Sequence, residues 1–302
     1  MAERSIRVGT AGWSYEDWRG IVYPLRPPRG FDRLATMAEL FDTNEINSTF
    51  YRVPDARQTA DWARRVAHNP RFRFTAKLYR GFTHERNAGS EEERAFLAAM
   101  EPLAREERLG AVLVQYPFSF HDNKDSRALL SGTLSRFAAL PLAVEFRHES
   151  WDHEDTAQFL SDRGVAFVNI DQPALAGNLG ASNRVTASLA YYRFHGRNAS
   201  NWFRPDTSNE ERYNYLYREA ELSPWIDRVR EAARALVARA AAKAGVFVVL
   251  NNHFRGQAVA NALMLQKTLT GEVRTVPETL IAAFPDVPRL AAAPAPGQRP
   301  LF

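Results

Sequence analysis

Short apolar runs of strand length alternate along the chain with longer segments in which apolar residues recur with helical spacing. The strand-like runs cover residues 6–13, 43–51, 72–80, 111–117, 142–147, 166–171, 190–196 and 246–253. The helix-like segments cover residues 32–41, 59–67, 90–104, 125–138, 155–163, 223–244 and 256–269. Strands and helices that alternate over a whole chain are typical of parallel β/α units. We therefore predict an α/β fold, a TIM-like (β/α) barrel.

Some segments need a separate interpretation. Residues 173–188 have no helical pattern, so we expect the sixth helix to be missing or degenerate. Ser223 followed by Pro224 is typical of a helix start. After Phe284 the sequence turns to proline and alanine, a composition typical of disorder. We expect a single barrel domain over residues 1–284 and a disordered Pro/Ala-rich C-terminal tail over residues 285–302.

Composition narrows the class of protein. The chain has 302 residues, 45% hydrophobic, which is enough for a sizeable core. It has no cysteine, which excludes disulfides, thiolate metal sites and a cysteine nucleophile. The first residues lack a signal-peptide pattern and no apolar run is long enough to span a membrane, so we expect a cytoplasmic protein. A net charge of +4 permits a polyanionic partner without requiring one.

Polar residues at the ends of the strand-like runs are the main functional signal. In the run 43–51, alternation places Glu45, Asn47 and Tyr51 on one face, and in 142–147 it pairs Glu145 with Arg147. Burying such groups without partners costs several kcal/mol each, on the order of 2–7. Because barrel enzymes place their active sites at the carboxyl ends of the strands, we expect these side chains to meet at the barrel mouth.

The same alternation, applied to every run and combined with the loops that follow the strands, gives two sets of candidates. The catalytic candidates are Glu45, Lys77, Glu145, Arg147 and His195. The substrate-binding candidates, which include aromatic residues of the loops, are Thr10, Trp13, Tyr15, Asn47, Tyr51, Gln115, Asp171, Arg193, Arg197, Asn251, Asn252 and His253. The loops after the seventh and eighth strands are where barrel enzymes often hold a phosphate. The aromatic rings either stack on a sugar or base, or pack together as a lid.

Charge favours an anionic substrate. The acidic and basic candidates balance, and arginine side chains form a fork suited to phosphate or carboxylate. We predict no cofactor. A divalent metal held by Glu45, Glu145, Asp171 and His195 is the alternative, since hard or borderline cations take such ligands. A structural network of salt bridges that fills the barrel is a further alternative.

The motifs resemble those of the YecE-like family, known as domain of unknown function 72. The likeness lies in residues 8–15 (Val-Gly-Thr-Ala-Gly-Trp-Ser-Tyr), 45–51 (Glu-Ile-Asn-Ser-Thr-Phe-Tyr), 72–74, 115–117, 144–148 and 251–253, with Trp18, Lys77 and Trp151. The resemblance covers nearly the whole chain and implies a TIM-like barrel. It also implies a relation in architecture to barrels that include sugar isomerases and an apurinic-site endonuclease. It does not specify a reaction.

The last residues carry a separate signal. Gln298, followed by the terminal Leu301 and Phe302, resembles the short peptide with which bacterial replication and repair proteins bind the sliding clamp. A Pro/Ala tether suits such a docking peptide. The alternative is that Leu301 and Phe302 fold back onto the barrel. Clamp binding would favour DNA as a partner.

The sequence thus supports three hypotheses. The first is a barrel enzyme that acts by acid/base chemistry on a phosphate-bearing substrate, with nucleic acid as the leading candidate through phosphodiester hydrolysis in DNA repair. Glu145 or Glu45 would be the general base, and His195 the acid or its relay. Lys77, Arg147 and Arg193 would stabilise negative charge. The second is an isomerase or lyase that acts on a sugar phosphate or sugar acid. The third is a non-catalytic factor associated with nucleic acid or the clamp.

Overall fold

Eight parallel strands form a closed barrel in chain order. The structure is a computed structural model, which describes residues 2–239 and 245–286. The strands are β1 (Ile6–Ala11), β2 (Thr43–Ile46), β3 (Arg73–Lys77), β4 (Leu109–Gln115), β5 (Leu142–Glu145), β6 (Ala166–Asp171), β7 (Leu189–Phe194) and β8 (Gly245–Leu250). The α-helices are α1 (Arg33–Leu40), α2 (Ser48–Tyr51), α3 (Ala56–Arg65), α4 (Arg80–Thr83), α5 (Ser90–Arg105), α6 (Lys124–Arg136), α7 (Glu154–Ser161), α8 (Asn209–Arg212), α9 (Glu219–Ala238), α10 (Gln257–Thr270) and α11 (Glu278–Ala283).

Strand β1 closes the barrel by pairing with both β2 and β8. A Cβ atom at Gly9 would lie 1.9 Å from the carbonyl oxygen of Thr43 on β2, so the close approach of these strands requires glycine. On the other face of β1, Ile6 and Val8 pack with α9 and α10 in one apolar cluster. The apolar positions of the strands therefore hold the helix layer against the barrel, as the periodicity predicts.

The predicted fold class is confirmed, including the missing sixth helix. Residues 172–188, between β6 and β7, form no helix. The carboxamide of Asn169 accepts hydrogen bonds from the backbone of Arg184 (2.7 Å) and the hydroxyl of Ser182 (2.8 Å). These bonds hold the irregular segment against the barrel in place of helix packing.

Two predicted boundaries are wrong. Strand β2 ends at Ile46 instead of residue 51, and α2 follows at once. The Thr49 hydroxyl donates to the backbone oxygen of Lys77 at 2.6 Å, which ties this turn to the end of β3. Helix α9 begins at Glu219, ahead of the predicted start at Ser223. Glu221 caps it by accepting from the Arg218 backbone N–H at 2.9 Å.

Within the described residues, none of the helices combines the length and apolar character needed to cross a membrane. Residues 240–244 of the predicted helix 223–244 lie outside the described residues, as does most of the predicted tail.

Candidate active site

Register across the barrel determines which strand-end residues face its interior. Side chains that are paired between parallel neighbours point to the same side of a sheet. Ala11 pairs with Glu45, and Gln115 pairs with Glu145. Arg193 on β7 reaches both Glu45 on β2 and Glu145 on β5, contacts that only the barrel interior permits. The carboxyl ends of these strands therefore bring the charged candidates together.

A buried charge cluster lies at the base of the mouth, formed by Glu45, Glu145, Arg147, Arg193 and His195. Arg193 donates from Nε and Nη2 to the two oxygens of Glu45, at 2.9 and 2.6 Å. Its Nη1 donates to Glu145 at 3.0 Å. Both carboxylates are fully buried. One guanidinium thus serves as the counter-charge of two carboxylates, and Arg193 supports the site instead of lying free to bind an anion.

Arg147 and His195 complete the cluster around Glu145. Arg147 Nε lies 2.6 Å and His195 Nε2 lies 3.3 Å from Glu145 Oε1. His195 Nδ1 faces two donors, Asn251 Nδ2 at 3.1 Å and Arg147 Nη2 at 3.4 Å. Because Nδ1 must therefore accept, the ring proton lies on Nε2 and faces Glu145.

The charge cluster fixes its own protonation states. Burial opposes ionisation of Glu145, but the guanidinium groups of Arg147 and Arg193 outweigh it and hold the pKa of this carboxyl well below its usual range. Burial, assisted by the charge of Arg147, lowers the pKa of His195 to about 3. Glu145 is therefore a weak proton acceptor and His195 is neutral near pH ~7. These states argue against Glu145 as general base and against an imidazolium acid at His195.

Lys77 differs from the other cations at the mouth. Its Nζ has no hydrogen bond or ion pair within the part of the chain that the structure describes, and it lies 3.8 Å from the ring centroid of Phe50. Burial, followed by the charge of Arg193, lowers the pKa of Lys77 to about 7. A substantial fraction of this amine is therefore uncharged at neutral pH.

A cavity of about 690 Å³ opens above the charge cluster. We call it the mouth cavity. It is lined by Gly12, Trp13, Ser14, Tyr15, Asn47, Ser48, Phe50, Tyr51, Gln58, Trp62, Lys77, Gln115, Arg193, Glu210, Tyr213, Asn251 and His253. The left-handed backbone at Gly12, with φ of 77°, turns the chain from β1 into the loop that carries Trp13 and Tyr15. Tyr15 stacks on His253 with ring centroids 4.4 Å apart.

The alternation wrongly placed Thr10 and Asp171 inside the barrel. Register pairs Ile170 with the inward Arg193, and Asp171 with Phe194 on the helix-facing side. There Asp171 accepts from Tyr217 at 2.6 Å and from Trp225 at 2.7 Å. The Thr10 hydroxyl lies 3.8 Å from the sulfur of Met37 on α1, also outside the barrel.

Two further binding candidates lie away from the mouth cavity. Arg197 donates to Asp171 at 2.6 Å, and Asn252 donates to Asn261 of α10 at 2.9 Å. Because parallel strands are buried on both faces, polarity alone does not distinguish a lumen position from a helix-facing one. That ambiguity explains why alternation assigns Thr10 and Asp171 to the mouth, whereas Arg197 and Asn252 are assigned to it because they follow the seventh and eighth strands.

The chain itself occupies the loop after β8, which the sequence suggested as a phosphate site. The Asp17 carboxylate accepts from the backbone N–H of Arg255 at 2.6 Å. Trp18 donates from its indole to the backbone oxygen of His253 at 2.7 Å. A carboxylate of the chain thus takes the place predicted for a substrate anion.

Sequence reasoning missed several residues of the site. Phe50 and Tyr213 line the mouth cavity, and Tyr191 donates to Glu45 at 2.7 Å from inside the barrel. Tyr191 lies two positions before Arg193, so alternation along β7 was a signal that could have found it. Tyr213 had no such signal, because it lies in a segment between elements that only the tertiary fold brings to the mouth.

The four predicted metal ligands do not converge. The oxygens of Glu45 and Glu145 are engaged by Arg193, and Asp171 faces the helices. Over residues 2–239 and 245–286, no group of three or more His, Cys, Asp or Glu side chains has a geometry that could hold a metal ion.

The predicted clamp-binding residues Gln298, Leu301 and Phe302 lie outside the described residues, and clamp binding stays a prediction from the sequence.

Comparison with known proteins identifies the family. The family described as "Protein of unknown function DUF72" matches residues 7–286. UPF0759 protein YunF of Bacillus subtilis (strain 168) is 29% identical over 279 residues, which cover 87% of this chain and 94% of that protein. The crystal structure of a DUF72 family protein (TM1631) from Thermotoga maritima MSB8 is 35% identical, with a TM-score of 0.72 over 87% of this chain and 98% of the other. A DUF72 family protein (EF0366) from Enterococcus faecalis V583 is 28% identical, with a TM-score of 0.75 over 87% of this chain and 95% of the other. The chain therefore belongs to the DUF72 family, and it shares its TIM-like barrel with these two solved structures.

Proposed function

We propose that the protein is an enzyme that acts by acid/base chemistry on a small anionic substrate of sugar phosphate or sugar acid size, as an isomerase or lyase. The observation that carries this proposal is the mouth cavity, at the base of which lies the amine of Lys77, unpaired within residues 2–239 and 245–286. Its volume of about 690 Å³ falls within the range of small-molecule sites, about 300–1,000 Å³. It lies at the carboxyl ends of the strands, the position of active sites in barrel enzymes.

The lining of the mouth cavity fits a carbohydrate-like molecule. Trp13, Tyr15 and Tyr213 present rings on which the apolar face of a sugar can pack. Gln115 and Asn251 present carboxamides that can bind hydroxyl groups. Aromatic and amide groups together thus favour a polyhydroxylated ligand over a purely apolar one.

Lys77 is the group best placed to move a proton. A pKa of about 7 gives it both protonation states near neutral pH, which is the condition for efficient acid/base catalysis. Glu45, Glu145, Arg147 and Arg193 balance one another in charge, so protonated Lys77 leaves one net positive charge at the base of the cavity. That charge complements a phosphate or carboxylate group.

A nucleic acid substrate is the second candidate. Tyr51 lines the mouth cavity with 61% of its surface exposed, and Phe203, in the loop after β7, is 50% exposed. Exposed rings at the rim of a site can stack on unpaired bases. In this form of the proposal, the cavity would take a single nucleotide of a longer strand.

Thermal unfolding in the presence of ligands tests both candidates. We expect inorganic phosphate and glucose 6-phosphate to raise the melting temperature, since a ligand bound only by the folded state stabilises it by roughly 2.7 kcal/mol at a hundredfold excess over Kd. Lys77→Met should lose this shift relative to its own ligand-free melting temperature. Arg184→Met, which changes a surface arginine, should retain it.

The changes in melting temperature distinguish the two candidate substrates. Larger stabilisation by a short single-stranded oligonucleotide than by glucose 6-phosphate would favour the nucleic acid candidate. If phosphate raises the melting temperatures of wild type and Lys77→Met equally, the mouth cavity is refuted as the anion site.

A further inference from the structure

Among the described residues, the amine of Lys77 has no ion-pair partner, although carboxylates lie close to it. Glu45 and Glu145 are both within the same barrel mouth, but their oxygens are engaged by Arg193, Arg147 and Tyr191. A lysine that merely balanced charge would pair with one of these carboxylates. Here the arginines neutralise the carboxylates, and the lysine is left facing the mouth cavity.

Lysine is uncommon in this chain. Only four of its 39 basic residues are lysines, namely Lys77, Lys124, Lys243 and Lys267. Arginine is always charged in proteins, and its guanidinium does not act as an amine nucleophile, whereas a desolvated lysine does. A lysine at the base of the mouth cavity thus supplies a reactivity that the more common cation of this chain lacks.

We propose that Lys77 is a covalent nucleophile that forms a Schiff base with the carbonyl carbon of the substrate. This inference rests on the proposed function and narrows its substrate class to small anionic aldehydes, ketones or 2-oxo acids. The ring centroid of Phe50 lies 3.8 Å from Nζ, and both residues line the mouth cavity, where a carbonyl group of the substrate can reach the amine.

The chemistry requires no group beyond the amine, the carbonyl compound and protons. The nitrogen lone pair adds to the carbonyl carbon while the π electrons of the C=O bond move to oxygen. Proton transfer from nitrogen to oxygen gives the carbinolamine. The nitrogen lone pair then expels the hydroxyl group, which takes up a proton and leaves as water. In total, an ammonium ion and a carbonyl group give an iminium ion and water, so charge is conserved and nothing is oxidised or reduced.

The surroundings of Lys77 support a free amine at neutral pH. The charges of Arg193 and Arg147 disfavour the charged form of Lys77, whereas those of Glu145 and Glu45 favour it. Burial is the largest single effect, and it lowers the pKa of Lys77. His84, beside the same Phe50 ring at 4.8 Å between ring centroids, has a pKa lowered by burial to about 4 and is neutral at neutral pH. By contrast, a lysine with the ordinary pKa of about 10.4 is almost wholly protonated at this pH.

Borohydride trapping on the full chain tests the proposal. The protein is incubated separately with pyruvate, dihydroxyacetone phosphate and glyceraldehyde 3-phosphate, then reduced with sodium borohydride and mapped by peptide mass spectrometry. We expect a reduced adduct on Lys77 from at least one probe, in roughly tenfold or greater excess over the exposed Lys124. Lys77→Arg should abolish that adduct, and the control Lys124→Arg should retain it. No adduct with any probe, or equal labelling of Lys77 and Lys124, overturns the proposal.

A second measurement uses the wild type alone, in case Lys77→Arg fails to fold. The rate of arylation of each lysine by fluorodinitrobenzene is followed against pH. A midpoint near 7 at Lys77 is expected, and a midpoint near 10 at Lys77 overturns the proposal. If phosphate raises the melting temperature through Lys77 but no carbonyl adduct forms, the Schiff base is refuted and the proposed function stands. If neither occurs, both are refuted.

Discussion

Replacing Arg193 with methionine should be among the most damaging single changes in the barrel. The substitution removes hydrogen bonds to Glu45 at 2.9 and 2.6 Å and to Glu145 at 3.0 Å, and both carboxylates are fully buried. Breaking a buried ion pair by deleting one partner costs about 3–5 kcal/mol. Because one guanidinium serves two carboxylates here, we expect the free energy of unfolding to fall by about 5 kcal/mol. Globular domains have a total stability of only about 5–15 kcal/mol, so the variant should lose about a third or more of its free energy of unfolding.

Urea unfolding at neutral pH, followed by circular dichroism, measures this loss. The matched control is Arg184→Met, since Arg184 also has two acidic partners, Asp152 at 3.2 Å and Glu154 at 3.1 Å, but on the surface. The free energy of unfolding of the control should fall by less than about 1 kcal/mol, because exposed ion pairs contribute little to stability. A loss in Arg193→Met that is no larger than the control's would refute the view that Arg193 neutralises two buried carboxylates.

The loss should also depend on pH. In the wild type, the depressed pKa of Glu145 contributes stability above the unfolded-state value of about 4.3, and that contribution is lost as pH falls through the folded-state pKa. In Arg193→Met, a buried carboxylate that has lost its counter-charge binds protons more readily. The variant therefore regains stability as pH falls toward the unfolded-state value of about 4.3. The difference between the two proteins should therefore shrink in mild acid. A difference that grows under those conditions would contradict the reasoning.

Other predictions concern the edges of the site. Asp171→Asn should lower the free energy of unfolding in urea by about 2 kcal/mol, because Tyr217 and Trp225 lose a charged acceptor. The variant should keep the rise in melting temperature that phosphate causes. Unchanged stability would contradict the assigned contacts. His195, with a pKa of about 3, should show no titration by NMR between about pH 5 and 8 and should carry its proton on Nε2; a midpoint inside that range would be evidence against the assigned cluster. Tyr51→Ala should change the free energy of unfolding by no more than about 0.5 kcal/mol, because the ring is 61% exposed, and a larger loss would show that it packs into the fold.

Several site residues could be predicted because strand alternation is a local property. Glu145 and Arg147 are two positions apart in the sequence and lie together in the charge cluster. Glu45, Lys77 and His195 were likewise assigned to the barrel mouth from the ends of their apolar runs, and all three lie there. Their partners and protonation states could not be predicted, because these depend on contacts across the barrel between residues far apart in sequence.

The sequence by itself determined the barrel and the absence of a sixth helix, because hydrophobic periodicity and turn chemistry are local properties of the chain. Only the tertiary structure decided which face of each buried strand looks inward. Thr10 and Asp171 show the difference, since both faces of a parallel barrel strand are covered and polarity does not mark the lumen. The tertiary structure also decided that the arginines neutralise the carboxylates and that Lys77 has no carboxylate partner among the described residues, because charge pairing over a few ångströms depends on geometry that no local pattern encodes.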